Sequence, residues 1–168
     1  SSVRRAAVEK MGKLTNAIKY TSLFEAAVGD SSYQVAAEAL RALNNADSKK
    51  AIQIAKSLEN EKESTLAGSV ADVYSKEGDA AYQGEFSTKL RNSSTNNKYL
   101  MFYYYANFLT RMDKPVVLDG VKHIEAAAMA TESNSLLGAG KGALKRVIKS
   151  FEEKKKKAQT DLAADQGQ

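Results

Sequence analysis

The chain has 168 residues, enough for one domain that buries roughly 70% of its unfolded surface, and its single proline, absent tryptophan and 43% hydrophobic content are typical of a helical protein. It contains no cysteine, which excludes disulfides and thiolate metal sites, and no apolar run approaches the ~20 residues that a membrane helix needs. The net charge is +5, but Lys154 to Lys157 supply four of these charges, and such a like-charge run near a terminus is usually solvated, which argues against nucleic-acid binding.

The first six predicted helices follow one another in three hairpins. Polar capping residues such as Ser2 and Asp47 precede apolar stripes with helical spacing, and Gly29 and Gly78 stop two of the helices. The predicted spans are residues 2–14, 16–29, 30–43, 47–60, 66–77 and 79–90. Residues 92–97 are polar throughout and form the longest predicted loop.

Three further helices are predicted after this loop, over residues 99–112, 113–128 and 136–151. Pro115 is tolerated because it falls in a first turn. Gly138, Gly140 and Gly142 weaken the start of the last helix and indicate either a loose beginning or a close helix approach. We expect residues 1–151 to form the folded domain, followed by a Lys-rich helix end and a disordered tail over residues 152–168.

An apolar pattern recurs along the first half of the chain with a constant spacing. The matched pairs are Val3 and Val35, Ala7 and Ala39, Val8 and Leu40, and Met11 and Leu43. A fainter third copy follows after nearly the same interval, at Leu66, Val70, Ala71 and Tyr74. A period of about 32 residues is typical of stacked helical hairpins. It predicts an all-α, right-handed superhelix of antiparallel hairpins of the HEAT/ARM type, with about eight or nine helices and an atypical C-terminal end that caps the core.

Two local patterns could suggest chemistry, and neither supports it. His123 is the only histidine, and Glu125 two positions later points about 200° away on a helix, so we expect a surface or boundary histidine and not a metal ligand. The stretch from Gly138 to Gly142 lacks the Walker spacing and a preceding strand. We therefore assign no catalytic and no metal-binding residue.

The aromatic stretch that begins at Tyr99 is open to two interpretations. Residues at i, i+3, i+4, i+7 and i+10 share one helix face, as core residues do: Tyr99, Phe102, Tyr103, Ala106 and Leu109. Tyr104 and Phe108 widen that face, whereas Tyr105 lies elsewhere. Tyrosines are also enriched at interfaces, so the alternative is an interaction surface formed by Tyr99, Tyr103, Tyr104, Tyr105 and Phe108.

The segment from Asp30 to Leu43 resembles a HEAT-type repeat with an Asp, a Val and an Ala-Leu pair at Asp30, Val35 and Ala39-Leu40. With its continuation it resembles the C-terminal helical domain of gluzincin zinc aminopeptidases, the alanyl- and leukotriene-hydrolase-like enzymes, over most of residues 1–150. The matching positions in the continuation are Lys49-Lys50-Ala51, Ala55, Leu58, Leu66 to Asp79, Phe86 and Lys98-Tyr99.

The resemblance implies a non-catalytic accessory domain that packs on the catalytic domain and encloses the peptide-substrate cavity. That family's zinc ligands and its substrate-amine site lie in His-Glu-x-x-His and Gly-x-Met-Glu-Asn stretches, which are absent here. No catalytic residue is therefore carried over, and this fragment is not expected to be an enzyme or to hold a cofactor. Zinc would belong to the missing catalytic domain, which with the peptide substrate would be its partner. The chain opens on a helical pattern without Met, so we expect an excised piece of a longer protein.

Two other functions are compatible with the pattern. A free-standing HEAT-like scaffold would bind a protein partner, and a helical-repeat DNA-binding protein, such as a repeat-type DNA glycosylase, is favoured only by the positive charge. We expect a soluble protein without membrane contact, of cytoplasmic or periplasmic location.

Overall fold

The computed structural model describes the backbone of residues 2–165 and the side chains up to residue 163. These residues form nine α-helices and no strand, which confirms the predicted all-α class. The helices are α1 Ser2–Gly12, α2 Thr21–Ala27, α3 Tyr33–Ala46, α4 Ser48–Ser57, α5 Ser64–Glu77, α6 Gln83–Asn92, α7 Thr95–Leu109, α8 Lys114–Met129 and α9 Asn134–Asp165. None of these helices is both long and apolar enough to cross a membrane.

The chain divides into two compact units, Ser1–Tyr82 and Gln83–Gln168. The first contains α1 to α5 and the second contains α6 to α9. The predicted single domain over residues 1–151 stays a prediction.

Helix α3 is the centre of the first unit. It packs against α1 and α5 as well as against α2 and α4, and α4 also contacts α5. Burial on several sides explains its composition, because Val35, Leu40 and Leu43 are buried and small alanines fill the positions between them.

A glycine allows α1 to approach α3 closely. A Cβ atom at Gly12 would lie only 2.6 Å from the Cβ of Ala42, so any side chain there would push the two helices apart. The Asn45 side-chain amide donates to the Gly12 carbonyl oxygen at 3.4 Å. Two small residues and one polar contact therefore set the spacing of α1 on α3.

Some helix caps agree with the sequence prediction and others do not. The Asp47 carboxylate accepts from the Lys50 backbone N–H at 3.1 Å, as predicted for the cap of α4. Asn16 makes no capping side-chain bond, and the helix predicted from residue 16 is instead a 3₁₀ turn, Ala17–Tyr20, followed by α2. Another 3₁₀ turn, Ala80–Tyr82, follows Asp79, so α6 begins at Gln83.

Helix α7 is the centre of the second unit. It packs against α6, α8 and α9, and α8 also contacts α6 and α9. The predicted polar loop over residues 92–97 is wrong, because only Ser93 and Ser94 separate α6 from α7. The Ser94 carbonyl accepts from the N–H groups of Asn97 and Lys98, which draws this polar segment into the first turn of α7.

Helix α9 continues well past the predicted end of the folded domain at residue 151. Its side chains from residue 152 to residue 163 are exposed, and the helical backbone reaches Asp165, within the range for which the sequence predicted a Lys-rich helix end and then a disordered tail. Residues 166–168, the remainder of that predicted tail, lie outside the described residues.

Candidate functional site

Three of the five residues predicted as an interaction surface are in the core of the second unit. Tyr104, Tyr105 and Phe108 are buried, so their proposed place on an exposed surface is wrong. The rings of Tyr105 and Phe108 lie 5.3 Å and 4.9 Å from that of Phe86, centroid to centroid. Because α7 is covered by three other helices, its core face extends around most of its circumference.

The other two residues of that set remain at the surface. Tyr99 and Tyr103 are 39% and 50% exposed, although their spacing with Phe102 also allowed a core position. They line a cleft of about 220 Å³ between α7 and α9, and the Arg146 guanidinium lies 5.1 Å from the centre of the Tyr103 ring. Arginine and tyrosine are both enriched at protein interfaces.

A second pocket lies between α6, the first turns of α7, and α8. It encloses about 300 Å³. Its lining residues are Ser87, Arg91, Lys98, His123, Ala126, Ala127 and Ala130. Arg91 is exposed and Lys98 is half-buried, and among the described side chains neither forms an ion pair with a carboxylate. We call this site the basic pocket.

Two neighbouring side chains contact the imidazole of His123 at its Nδ1 atom. Its Nδ1 lies 3.2 Å from the Tyr105 hydroxyl oxygen and 3.8 Å from Oδ2 of Asp119. That carboxylate also accepts from the Gln83 side-chain amide at 2.6 Å. These contacts fix the ring and leave Nε2 as the nitrogen that is free to meet a ligand.

The phenol of Tyr105 is buried and shares a hydrogen bond with Nδ1 of His123. Burial, together with the nearby charge of Asp119, raises the pKa of Tyr105 well above its usual value, while a hydrogen bond from Gln83 opposes the shift. The hydroxyl therefore stays protonated.

The position of His123 agrees with the sequence prediction of a boundary histidine, because its side chain is 42% exposed. Within residues 2–163 no three metal-ligating side chains cluster as a metal site would require. In the basic pocket, hydrogen-bond donors and cationic side chains lie beside the alanines of α8. Such an arrangement can bind an anion that carries an apolar group.

The sequence did not reveal the basic pocket. Arg91 and Lys98 lie on either side of the turn at Ser93 and Ser94, a segment that the sequence predicted as a longer loop. His123 belongs to α8, the next helix along the chain, and was considered only as a metal ligand. Only the packing of α6, α7 and α8 brings the three side chains to one cavity.

Comparison with known proteins identifies no relative: no family model, curated protein or solved structure matches this chain.

Proposed function

We propose that this chain is the non-catalytic helical-repeat domain of a zinc aminopeptidase, where it packs on the catalytic domain and encloses the peptide-substrate cavity. The observation that carries the proposal is the position of α3, which packs between α1 and α5 in one row of helices. The sequence resemblance to gluzincin helical domains supports the same assignment.

The finer architecture is part of this proposal. A single hairpin cannot bury its apolar stripe, but stacked hairpins share their cores with their neighbours. In the first unit α1, α3 and α5 form one row of neighbouring helices. Helices α2 and α4 lie in the segments that connect these three helices, and both pack on α3. We propose that these hairpins form the right-handed HEAT/ARM-type superhelix predicted from the sequence.

The first hairpin offers a surface for the catalytic domain. Val3 and Ile18 are 81% and 69% exposed, and Leu14 and Leu23 are about half exposed. The terminal repeats of a helical array need a polar outer face to remain soluble. These large apolar side chains, which lie on α1, on α2 and on the segment between them, are therefore expected to be covered in the whole enzyme.

The test compares this fragment with the full-length protein that contains it. In the full-length protein, Val3→Asp combined with Ile18→Asp is expected to lower the unfolding temperature, because the substitutions place two charges in the interdomain contact. In the fragment the same pair is expected to change the unfolding temperature little, since both side chains face water. Leu162→Asp is the matched control, because Leu162 is 61% exposed near the end of α9.

Equal effects of the Val3/Ile18 pair in both proteins would contradict the proposed contact. The fragment is also expected to show no hydrolysis of an aminoacyl-naphthylamide, with or without added zinc. Clear hydrolysis by the fragment would contradict its proposed accessory role.

A HEAT-like scaffold that binds a separate protein is the second candidate, and the exposed Tyr99, Tyr103 and Arg146 cleft favours it. This function predicts that Tyr103→Ser abolishes the pull-down of one discrete partner, whereas Tyr33→Ser, a change at a similarly exposed tyrosine of the first unit, does not. Equal capture by both variants would contradict it.

A further inference from the structure

We propose that the basic pocket binds the carboxylate of an amphiphilic ligand, with Arg91, Lys98 and His123 around the anion and the ligand's apolar part on the alanines of α8. The inference goes beyond the proposed function and does not depend on it, since it is drawn from the second unit alone.

The lining of the cavity carries positive charge. Arg91 and Lys98 line the same space, and no carboxylate of the described residues pairs with either of them. Lys98 also stands in the N-terminal part of α7, where the helix dipole disfavours a cation. Arg91 lies in the last turn of α6, where the helix dipole favours a cation, so the uncompensated charge is mainly that of Lys98. Two like charges that line one cavity create a field that an anion relieves.

The imidazole of His123 is held in one orientation. The contacts of Nδ1 with Tyr105 and Asp119 fix the ring, and its Nε2 is left for a ligand. An oriented group costs less conformational entropy on binding than a freely rotating one. The pocket therefore combines two flexible cations with one positioned imidazole.

The α8 side of the pocket is apolar. Ala126, Ala127 and Ala130 offer methyl groups and no side-chain donors. A free phosphate would leave several of its oxygens against this apolar surface, whereas a carboxylate at the end of an apolar chain satisfies both regions. A cavity of about 300 Å³ is at the small end of the range for small-ligand sites. The ligand is thus a short one, either a free organic acid or the C-terminus of a peptide with an apolar last residue.

The experiment is a calorimetric titration of the whole chain with hexanoate and, as the uncharged match, hexanamide. N-acetyl-Ala-Leu with a free carboxylate and the same peptide as its C-terminal amide distinguish a peptide source from a free acid. Inorganic phosphate serves as the anion without an apolar body. We expect saturable binding of hexanoate, of the free-acid peptide or of both, and much weaker binding of the amides and of phosphate.

Variants of the chain locate the binding. Arg91→Gln and Lys98→Gln are each expected to weaken carboxylate binding about tenfold, as for the loss of one charge-assisted hydrogen bond. Ala127→Leu retains both cations but fills the apolar side of the pocket, and it is expected to weaken binding as well. Lys122→Gln removes the same charge from an exposed position of α8 outside the pocket and is expected to have no effect. Circular dichroism confirms the fold of each variant.

Four results would overturn the proposal. The first is that neither hexanoate nor the free-acid peptide saturates the chain up to about 10 mM. The second is equal binding of acids and amides, and the third is binding of phosphate alone. The fourth is an equal loss of affinity in Lys122→Gln and in the two charge variants of the pocket. If one pocket variant does not fold, the acid–amide comparison on the unaltered chain still decides the outcome.

Discussion

The three glycines at the start of α9 have different surroundings, although the sequence presents them as one stretch. A Cβ atom at Gly140 would lie 2.4 Å from the Cβ of Ala128 and 3.3 Å from the Phe102 ring. At Gly138 and Gly142 a Cβ atom would have nothing within 4 Å. The sequence predicted that these glycines indicate either a loose beginning of the helix or a close approach between helices. The second explanation is correct at Gly140.

This contrast gives a matched pair of substitutions. Gly140→Ala is expected to lower the free energy of unfolding by about 1–3 kcal/mol, because the methyl group pushes α9 away from α8. Gly142→Ala is expected to raise it by up to about 1 kcal/mol, since alanine favours the helix and finds open space. Urea unfolding followed by circular dichroism measures both values, and changes of the same sign and size would contradict the assigned packing.

Individual tyrosines show where prediction from sequence reaches its limit. The sequence correctly placed Phe102, Ala106 and Leu109 on a core face of α7, but it placed Tyr105 off that face, whereas this residue is fully buried. A helix that is apolar nearly all round has no polar stripe to set its orientation. Which tyrosines are buried is then decided by α6, α8 and α9, and this information is not local.

At the level of elements, an ion pair ties α1 to the segment before α3. Nε and Nη2 of Arg4 lie 2.9 Å and 3.0 Å from the two carboxylate oxygens of Asp30, and the Ser32 backbone N–H donates to Oδ1 of that carboxylate at 2.8 Å. The hydrogen bond from Arg4, followed by that from Ser32, lowers the pKa of Asp30.

The lowered pKa predicts how stability depends on pH. Because the folded state favours ionised Asp30, its contribution is present above the unfolded-state pKa and is lost as the pH falls through the folded-state pKa. Asp30→Asn is therefore expected to lower the unfolding temperature at pH 7, with a difference from the unaltered chain that shrinks below about pH 4. Thermal unfolding at several pH values measures this dependence.

The control is Asp161→Asn, at an exposed position of α9, which is expected to show no such trend. An effect of Asp30→Asn that is constant at all pH values would contradict the stabilising role of ionised Asp30.

The end of α9 is expected to add little to stability. Its side chains from residue 158 to residue 163 are exposed, and a helical segment without tertiary packing is marginal in water. Deletion of residues 158–168 is expected to change the free energy of unfolding by less than about 0.5 kcal/mol. A deletion that begins at Val147, which is buried, is expected to be strongly destabilising. Urea unfolding compares the two truncations, and a large loss from the shorter deletion would contradict the exposed position of the helix end.

The helices themselves were largely predictable because their signals are local. Asp47 caps α4 through a bond to a residue three positions away, and Pro115 lies in the first turn of α8. The loop predicted at residues 92–97 failed because polar residues also occupy the exposed first turn of a helix. The basic pocket could not be predicted, since its side chains come from three helices and share no sequence spacing.

At the scale of the whole molecule, the three copies of the apolar pattern fall on α1, α3 and α5 of the first unit. The positions of the second and third copies are buried, whereas in the first copy Val8 is buried and Val3 is 81% exposed. The sequence therefore located these helices but did not show which positions of α1 are buried. The role of the repeat as part of an aminopeptidase is the central claim of our proposal.

The complete gene product that contains this chain provides the most direct test of that claim. The purified full-length protein is expected to contain a His-Glu-x-x-His segment before Ser1, to bind about one zinc ion per chain, and to hydrolyse alanyl-naphthylamide until a chelator removes the metal. Metal analysis and the rate of hydrolysis measure these properties together. A full-length protein with no such segment, no bound zinc and no hydrolysis would contradict the account.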